Sequence, residues 1–407
     1  MFAQIQPILA ALRRHRIATV LIVLQVALTL AIGSNALFIA RQHLAHLARP
    51  TGIDEPNLAI IRVQWLGHRS IPRLAAEMAA DLQTLRGLPG VADAYADYSY
   101  PAAGPMAQLL QIGLSPSQPH PTALAEAYYA DSHTVDTLGL QLVAGRNFSA
   151  SEITPLASYA ATPSPPAIII TRQLAGALFP HRPAVGRAVY LGAQPSTIIG
   201  VVARLQVPAL NTNSFAYNSV LLPYRPINPA SAIYPVRARH GQLDRVLREA
   251  PMALLGADRM RAIEVDRYSA LRSAAYAKDR GTATLMALIC AILLAATAAG
   301  IIGLSSFWVE QRRKQIGIRR AIGATRGDIL RYFQLENGLV VGAGNILGAV
   351  LAVALHTLLM RRLELVQLPL AYVGAGALAL WCIGQLAVLG PALRAARVSP
   401  VVATRTA

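Results

Sequence analysis

Cysteine is almost missing from this chain: only Cys290 and Cys382 occur, each inside a long apolar run. That pattern excludes a disulfide framework and a cysteine-rich metal site. A domain outside a membrane must therefore fold on its core alone. Lysine is as scarce, with Lys278 and Lys314 the only two. A phosphate-cradling loop G-x-x-x-x-G-K-[ST] needs a lysine in a glycine-rich frame, and neither AKDRG nor RRKQI supplies one. No nucleophile elbow G-x-S-x-G occurs either. The residues give no enzyme, and the chain is not expected to hydrolyse ATP itself.

Charge is also thin. Charged residues make up 14% of the 407, where soluble domains carry about 25%. Hydrophobic residues reach 54% and mean hydropathy is +0.42, so part of the chain belongs in lipid. Acids are the rarer sign, 20 against 37 Lys and Arg. Such an excess suits nucleic acid or a membrane surface, and its placement decides between them.

A hydrocarbon core of about 30 Å needs about 20 apolar residues in a helix. Four uncharged runs meet this: Ile17–Ala40, Gly281–Phe307, Asn337–Met360 and Leu368–Gly390. The first is longer than the roughly 7–15 apolar residues of a cleaved signal peptide, so it is expected to stay as an anchor. Basic residues in short loops orient the spans. Arg13, Arg14 and Arg16 precede the first run, and seven basic residues crowd Val309–Tyr332. Arg394, Arg397 and Arg405 follow the last run. These three regions are therefore expected in the cytoplasm, with 41–280 outside, and the basic charge requires no nucleic acid. The expected order is a cytoplasmic 1–16, spans at 17–40, 281–307, 333–360 and 368–390, a cytoplasmic segment 308–332, an outer turn 361–367 and a tail 391–407.

Within 41–280 two βαβ units are expected. The first runs strand 57–65, helix 71–86, strand 91–98. The second runs strand 232–239, helix 242–255, strand 260–267. Alternating strand residues and helix spacing (Leu74, Met78, Leu82, Leu85; Leu243, Val246, Leu247) carry the assignment. The units, 41–100 and 224–280, can pair as a membrane-proximal split βαβ layer. Between them 101–223 reads as an inserted, mostly β subdomain, with β-rich runs at Ala167–Ile170, Val185–Leu191 and Ser196–Val202. Ser149–Pro166 reads as a low-complexity loop. The fold class is thus an α-helical membrane protein with four transmembrane helices and an α+β outer domain.

Few residues invite a chemical reading. His43 and His46 in HLAH have a spacing that puts two metal ligands on one helix face, but polar residues where the first helix leaves the membrane are the favoured account. His356 is expected to be packed rather than to relay protons. Asp131, His133 and Asp136 are the other residues that could suggest a catalytic reading.

Glu310–Asp328, EQRRKQIGIRRAIGATRGD, resembles the cytoplasmic segment of the MacB/FtsX-like ABC transporter permeases. The tail GPALRAARVSPVVAT, the outer segment YADSHTVDTLGLQLVAGRNFSASE and LFPHRPAVGRAVYL with IIGVV are similar to other stretches of that family. So is the order of one span, a large outer domain and three spans. The resemblance implies an inner-membrane, multi-pass permease with a periplasmic core domain. It implies an ABC ATPase as a separate partner that uses ATP and Mg, and a homodimer or a heterodimer with a similar permease. A periplasmic adaptor is a further implied partner; no cofactor is bound by the chain itself. The implied ATPase-docking residues are Glu310, Arg312, Arg313, Ile316, Gly317, Ile318, Arg319, Arg320, Ile322 and Gly323. The same helix can also lie on anionic lipid. Where the family commonly carries two acids, Gln311 and Gln315 stand here.

Ionisable residues inside spans mark solute or ion routes, and the polar content of the four uncharged runs is modest, with Gln25, Asn35, Asn345, His356 and Gln385. Mechanical coupling is therefore expected rather than passage through the spans. Gly338 and Gly342, and Gly344 and Gly348, stand four apart, the small-xxx-small pattern of close helix packing. Relatives export toxins or peptides or release lipoproteins, and the sequence does not separate these. A ligand sensor or a scaffold for envelope enzymes stands as the reading from another class.

Overall fold

The computed structural model describes residues 16–101, 108–116, 118–157, 164–208, 214–363 and 368–397. Arg13, Arg14, Arg405, most of the expected outer turn and the end of the tail motif lie outside them. The chain divides into two units, one of Met1–Leu47 with Lys278–Ala407 and one of Ala48–Ala277.

In chain order, α1 (Arg16–Leu47) precedes β1 (Leu58–Trp65), α2 (Ile71–Gly87) and β2 (Val91–Ala94). The middle of the chain holds β3 (Leu109–Ile112), β4 (Ala123–Tyr129), α3 (Thr134–Leu138), β5 (Leu142–Gly145) and β6 (Thr154–Leu156). It continues with β7 (Ala167–Thr171), α4 (Arg172–Leu178), β8 (Ala188–Tyr190), β9 (Pro195–Val202), β10 (Ser219–Leu222) and β11 (Tyr224–Pro226). Then come β12 (Ser231–Ala238), α5 (Leu243–Ala257), β13 (Arg261–Arg267) and α6 (Tyr268–Ala275). The last helices are α7 (Ala277–Gln311), α8 (Arg313–Ala321), α9 (Arg326–Leu363) and α10 (Leu370–Ala396).

The Ala48–Ala277 unit is built in three layers. One sheet has the order β13-β1-β12-β2, with each neighbouring pair antiparallel. β12 therefore lies between the strands of the first βαβ unit, and β1 between those of the second: two interleaved split βαβ units. β1 is buried along most of its length because both faces are covered. Ala59, Ile61, Val63 and Trp65 pack with Leu74, Met78 and Leu82 of α2 and Val246 and Leu254 of α5. Leu58 and Ile60 point the other way, to Tyr128, Ile169, Val202 and Leu221 of a seven-stranded sheet. That sheet runs β3-β4-β10-β7-β9-β5, with β8 beside β9.

A buried ion pair ties the outer helix layer to the sheet. Arg261 on β13 donates to Asp81 on α2 at 2.7 Å, both side chains are 2% exposed, and the Tyr234 hydroxyl donates to the same carboxylate at 3.0 Å. Within the expected low-complexity loop, Ser149–Leu156 is regular structure. Ser149 and Glu152 form a capping box on a short 3-10 turn, Arg146 holds Glu152 at 2.7 Å, and β6 pairs in parallel with β11. Local capping chemistry, not hydrophobic alternation, specifies that segment. Residues 158–163 of the expected loop lie outside the described residues.

In the other unit four helices, Arg16–Leu47, Ala277–Gln311, Arg326–Leu358 and Leu370–Ala396, are long and apolar enough to cross a membrane. They outrun the uncharged stretches because nothing breaks a helix at a lipid boundary; stop signals do. α9 packs between α1 and α10 through two glycine rows. A Cβ on Gly344 would come within 2.7 Å of Val26, and one on Gly348 within 2.9 Å of Leu30. Gly338 and Gly342 instead lie under the Trp381 ring of α10.

The polar residues of these helices hold them to one another. The Gln25 amide donates to the Ala296 carbonyl at 2.9 Å, and Thr29 meets Thr297 at 2.8 Å. Asn35 donates to the Ala352 carbonyl and meets His356 at 3.0 Å, while Asn345 donates to the Ala377 carbonyl at 2.9 Å. Only 11% of the apolar stretch of α7 is buried, against 39% for α1. Leu285, Leu288 and Ile292 of α7 are left facing outward.

One buried acid of the Ala48–Ala277 unit gives a pH test. Burial first of all pushes the Asp97 carboxyl up to about 8, although the Tyr98 N–H and the Tyr95 hydroxyl donate to it. Unfolded, an Asp titrates near 3.9, so between these values the folded chain holds a proton that the unfolded chain releases. The stability this contributes is fully present below about pH 4 and is lost as pH rises towards about 8. Asp97→Asn is expected to flatten that loss. Thermal midpoints of the full chain at pH 5 and pH 8 should differ less in the variant than in the parent.

Candidate functional site

The cytoplasmic segment expected at 308–332 divides among three helices. Its first residues complete α7, nine residues form α8, and everything from Arg326 onward belongs to α9. The break between α7 and α8 falls at Arg312, whose backbone lies at φ −100°, ψ 7°. The stop of α8 is written locally. Gly323 takes φ +104°, its N–H donates to the Arg320 carbonyl, and the Ala324 N–H donates to the Arg319 carbonyl. This is a Schellman closure, which favours glycine at the left-handed position. Two residues later α9 starts on a reciprocal cap: the Asp328 N–H donates to Thr325 Oγ1 at 3.2 Å, and the Thr325 N–H donates to the Asp328 carboxylate at 3.0 Å.

α8 is held at three points. At its start Arg312 turns inward and donates to both oxygens of Glu336 on α9 at 3.0 Å, with the glutamate side chain 2% exposed. The same guanidinium stands 5.8 Å from the Trp308 ring centre. In its middle Ile316 joins a small apolar core with Val309, Ile329, Phe333, Ala392 and Ala395. At its end Arg320 donates to the Ala396 carbonyl at 3.2 Å, where the C-terminal dipole of α10 favours a cation.

The residues implied for docking therefore separate into two sets. Arg312, Ile316 and Gly317 are turned into the protein, and Arg320 is half-buried against α10. Glu310, Arg313, Ile318, Arg319, Ile322 and Gly323 are exposed, as are Gln311 and Gln315. Ile322 is 82% exposed and Ile318 44%, so an apolar pair projects beside Arg313 and Arg319. Arg319 stacks on Tyr332 at 5.1 Å, which limits its freedom. Glu336 is the residue that sequence reasoning missed. It stands one place before the uncharged run Asn337–Met360, and the arginine-rich stretch ahead of it was the available signal.

Elsewhere, Asp131 is buried near Arg86 and Arg225, His133 meets Asp93 at 3.0 Å, and the Asp136 carbonyl accepts from Arg237. These contacts join α3 to its neighbours, a structural use.

Residues 17–247 match the family described as MacB-like periplasmic core domain, and residues 287–400 match FtsX-like permease C-terminal. A macrolide export ATP-binding/permease protein MacB 1/2 of Paracoccus denitrificans is 27% identical over 413 residues, covering 97% of this chain and 57% of the relative. Its counterpart in Bradyrhizobium diazoefficiens is 30% identical over 232 residues, 54% of this chain and 34% of the relative. The chain thus spans between a third and somewhat over half of these curated relatives. Among solved structures, the periplasmic region of MacB from Actinobacillus actinomycetemcomitans aligns with 56% of this chain and 97% of its own, at 12% identity and a TM-score of 0.35.

The Arg312–Glu336 pair makes a sharp prediction. Removing one partner of a buried pair strands the other charge, at about 3–5 kcal/mol, whereas replacing both with apolar residues is often close to neutral. Arg312→Met or Glu336→Gln alone should lower the thermal midpoint of the detergent-solubilised chain clearly. Arg312→Met with Glu336→Leu should recover most of it. Additive losses in the double variant would show that the two residues act independently.

Proposed function

Because the chain belongs to the family that joins a MacB-like periplasmic core domain to an FtsX-like permease domain, we propose that it is the inner-membrane permease subunit of an ABC transporter whose ATPase docks on α8. The observation that carries this is the fixed α8 with its projecting Ile318 and Ile322. An exposed apolar pair on a short helix outside the spans has an unfavourable water contact that a partner surface removes. The flanking Arg313 and Arg319 suit a partner with acidic rim residues. With Gln311 and Gln315 in place of acids, the chain adds little negative charge of its own to that interface.

Motion would pass from α8 by its mounts. ATP and Mg bound by the partner draw two ATPases together, and α8 moves with the surface it grips. Arg312 carries this displacement to α9 through Glu336, and Arg320 carries it to α10. The interhelical hydrogen bonds and glycine rows make α1, α9 and α10 move as packed bodies, because interiors at crystal-like density transmit strain. The periplasmic domain then does the work, acting on a peptide, toxin or macrolide-like compound already outside the membrane. The engagement of Gln25, Thr29, Asn35, the Asn345 amide and His356 in helix-to-helix contacts supports this over a route through the spans. A second copy of the chain, or a similar permease, would lie against the exposed apolar face of α7, and a periplasmic adaptor would receive the cargo.

The test is co-expression with an ABC ATPase encoded beside the gene. The parent should copurify with it and raise its ATP turnover. Ile318→Glu with Ile322→Glu should weaken the complex at least about ten-fold, since burying an unpaired charge costs several kcal/mol. Arg319→Glu should weaken it less. A complex indifferent to the paired substitution would overturn docking on α8.

A further inference from the structure

The last turn of α1 and the first turn of α7 meet in a group of three potential ligands. His43 and His46 stand three apart on one face of α1, with ring centres 6.2 Å apart. Asp279, within the first turn of α7, brings its Oδ1 to 2.8 Å from His43 Nδ1. One ligand atom from each of the three residues lies within 4.8 Å of the others, and all three side chains are half-buried. Sequence alone favoured the histidines as ordinary polar residues at a helix exit. Asp279 is the third ligand, and it comes from 236 residues away.

We propose that His43, His46 and Asp279 bind a divalent transition metal ion of the zinc class. Ligands at about 2.0–2.1 Å from a tetrahedral zinc ion stand roughly 3.3 Å from one another, so side-chain rotations of about an ångström close the present group around one. Two imidazoles and one carboxylate leave a fourth position for water. The donor set also selects the metal. Calcium and magnesium seek oxygen ligands, whereas imidazole suits zinc and its neighbours. Arg41, Lys278 and Arg280 flank the site in sequence, and their repulsion disfavours any ion held by charge alone.

The position gives the ion a purpose. His46 lies just before the Ala48–Ala277 unit and Asp279 just after it, so a metal here would fasten together the two helices through which the chain enters and leaves that unit. Metal loading would then set how freely α1 and α7 slide past each other. That consequence rests on the transport reading above; the binding itself does not.

The experiment uses the full chain, purified in detergent without a histidine tag and titrated with zinc(II) alone. One equivalent should bind per chain at low-micromolar free zinc. His46→Ala and Asp279→Asn should each weaken binding by about ten-fold or more, and Asp279→Glu should retain it. His240→Ala, a histidine of the Ala48–Ala277 unit outside the three-residue group, should leave it unchanged. Cobalt(II) in place of zinc should give the visible absorption of a low-coordinate site in the parent and lose it in His46→Ala, a readout that does not depend on transport. No binding at low-micromolar zinc would overturn the proposal. So would binding equally strong in His46→Ala and Asp279→Asn, since the ion would then sit elsewhere.

Discussion

The guanidinium of Arg312 sets the posture of the whole cytoplasmic face. Charge inside a lipid-facing helical bundle is costly, and two hydrogen bonds from Arg312 answer Glu336 at 2% exposure. The helix breaks at the same residue, Arg312. Beyond the break, α8 buries Ile316 and leaves Ile318 and Ile322 outside. Ion pair and helix break thus coincide at one residue.

The outer unit meets a different constraint. Its β1 is apolar on both faces from Leu58 to Ile61, so that stretch must be covered on both sides. The helices α2 and α5 supply one cover and the seven-stranded sheet the other. The Asp81–Arg261 pair, with the Tyr234 hydroxyl on the same carboxylate, then pins the helix layer in a single register.

Hydropathy made the four long helices legible, because an uncharged run of more than twenty residues has few other uses. The alternation in LAIIRVQW and the spacing of Leu74, Met78 and Leu82 likewise gave the strands and helices of the split layer. Less legible was which arginine of the RR pairs turns inward: Arg312 and Arg313 are chemically identical, and only the distant Glu336 distinguishes them. β6 was hidden because a three-residue strand has no period to detect. Asp279 could not be matched with His43 and His46, since pairing across 236 residues leaves no local signature. The glycine rows were visible as spacing, but their two partners, α1 for one row and Trp381 for the other, were not.

The interleaved sheet has a consequence for how the protein is made. β1 pairs on one side with β12 and on the other with β13, so Leu58 waits for Arg237 before its ladder can form. A ribosome delivering the chain in order releases β1, α2 and β2 long before either partner strand exists. The first half of the sheet has no stable structure of its own until β12 arrives, and closure across so long a loop is slow. The nascent segment therefore spends its early life as an extended, strongly apolar chain exposed to aggregation. Biogenesis, rather than the finished fold, is where this topology places its greatest demand on the cell.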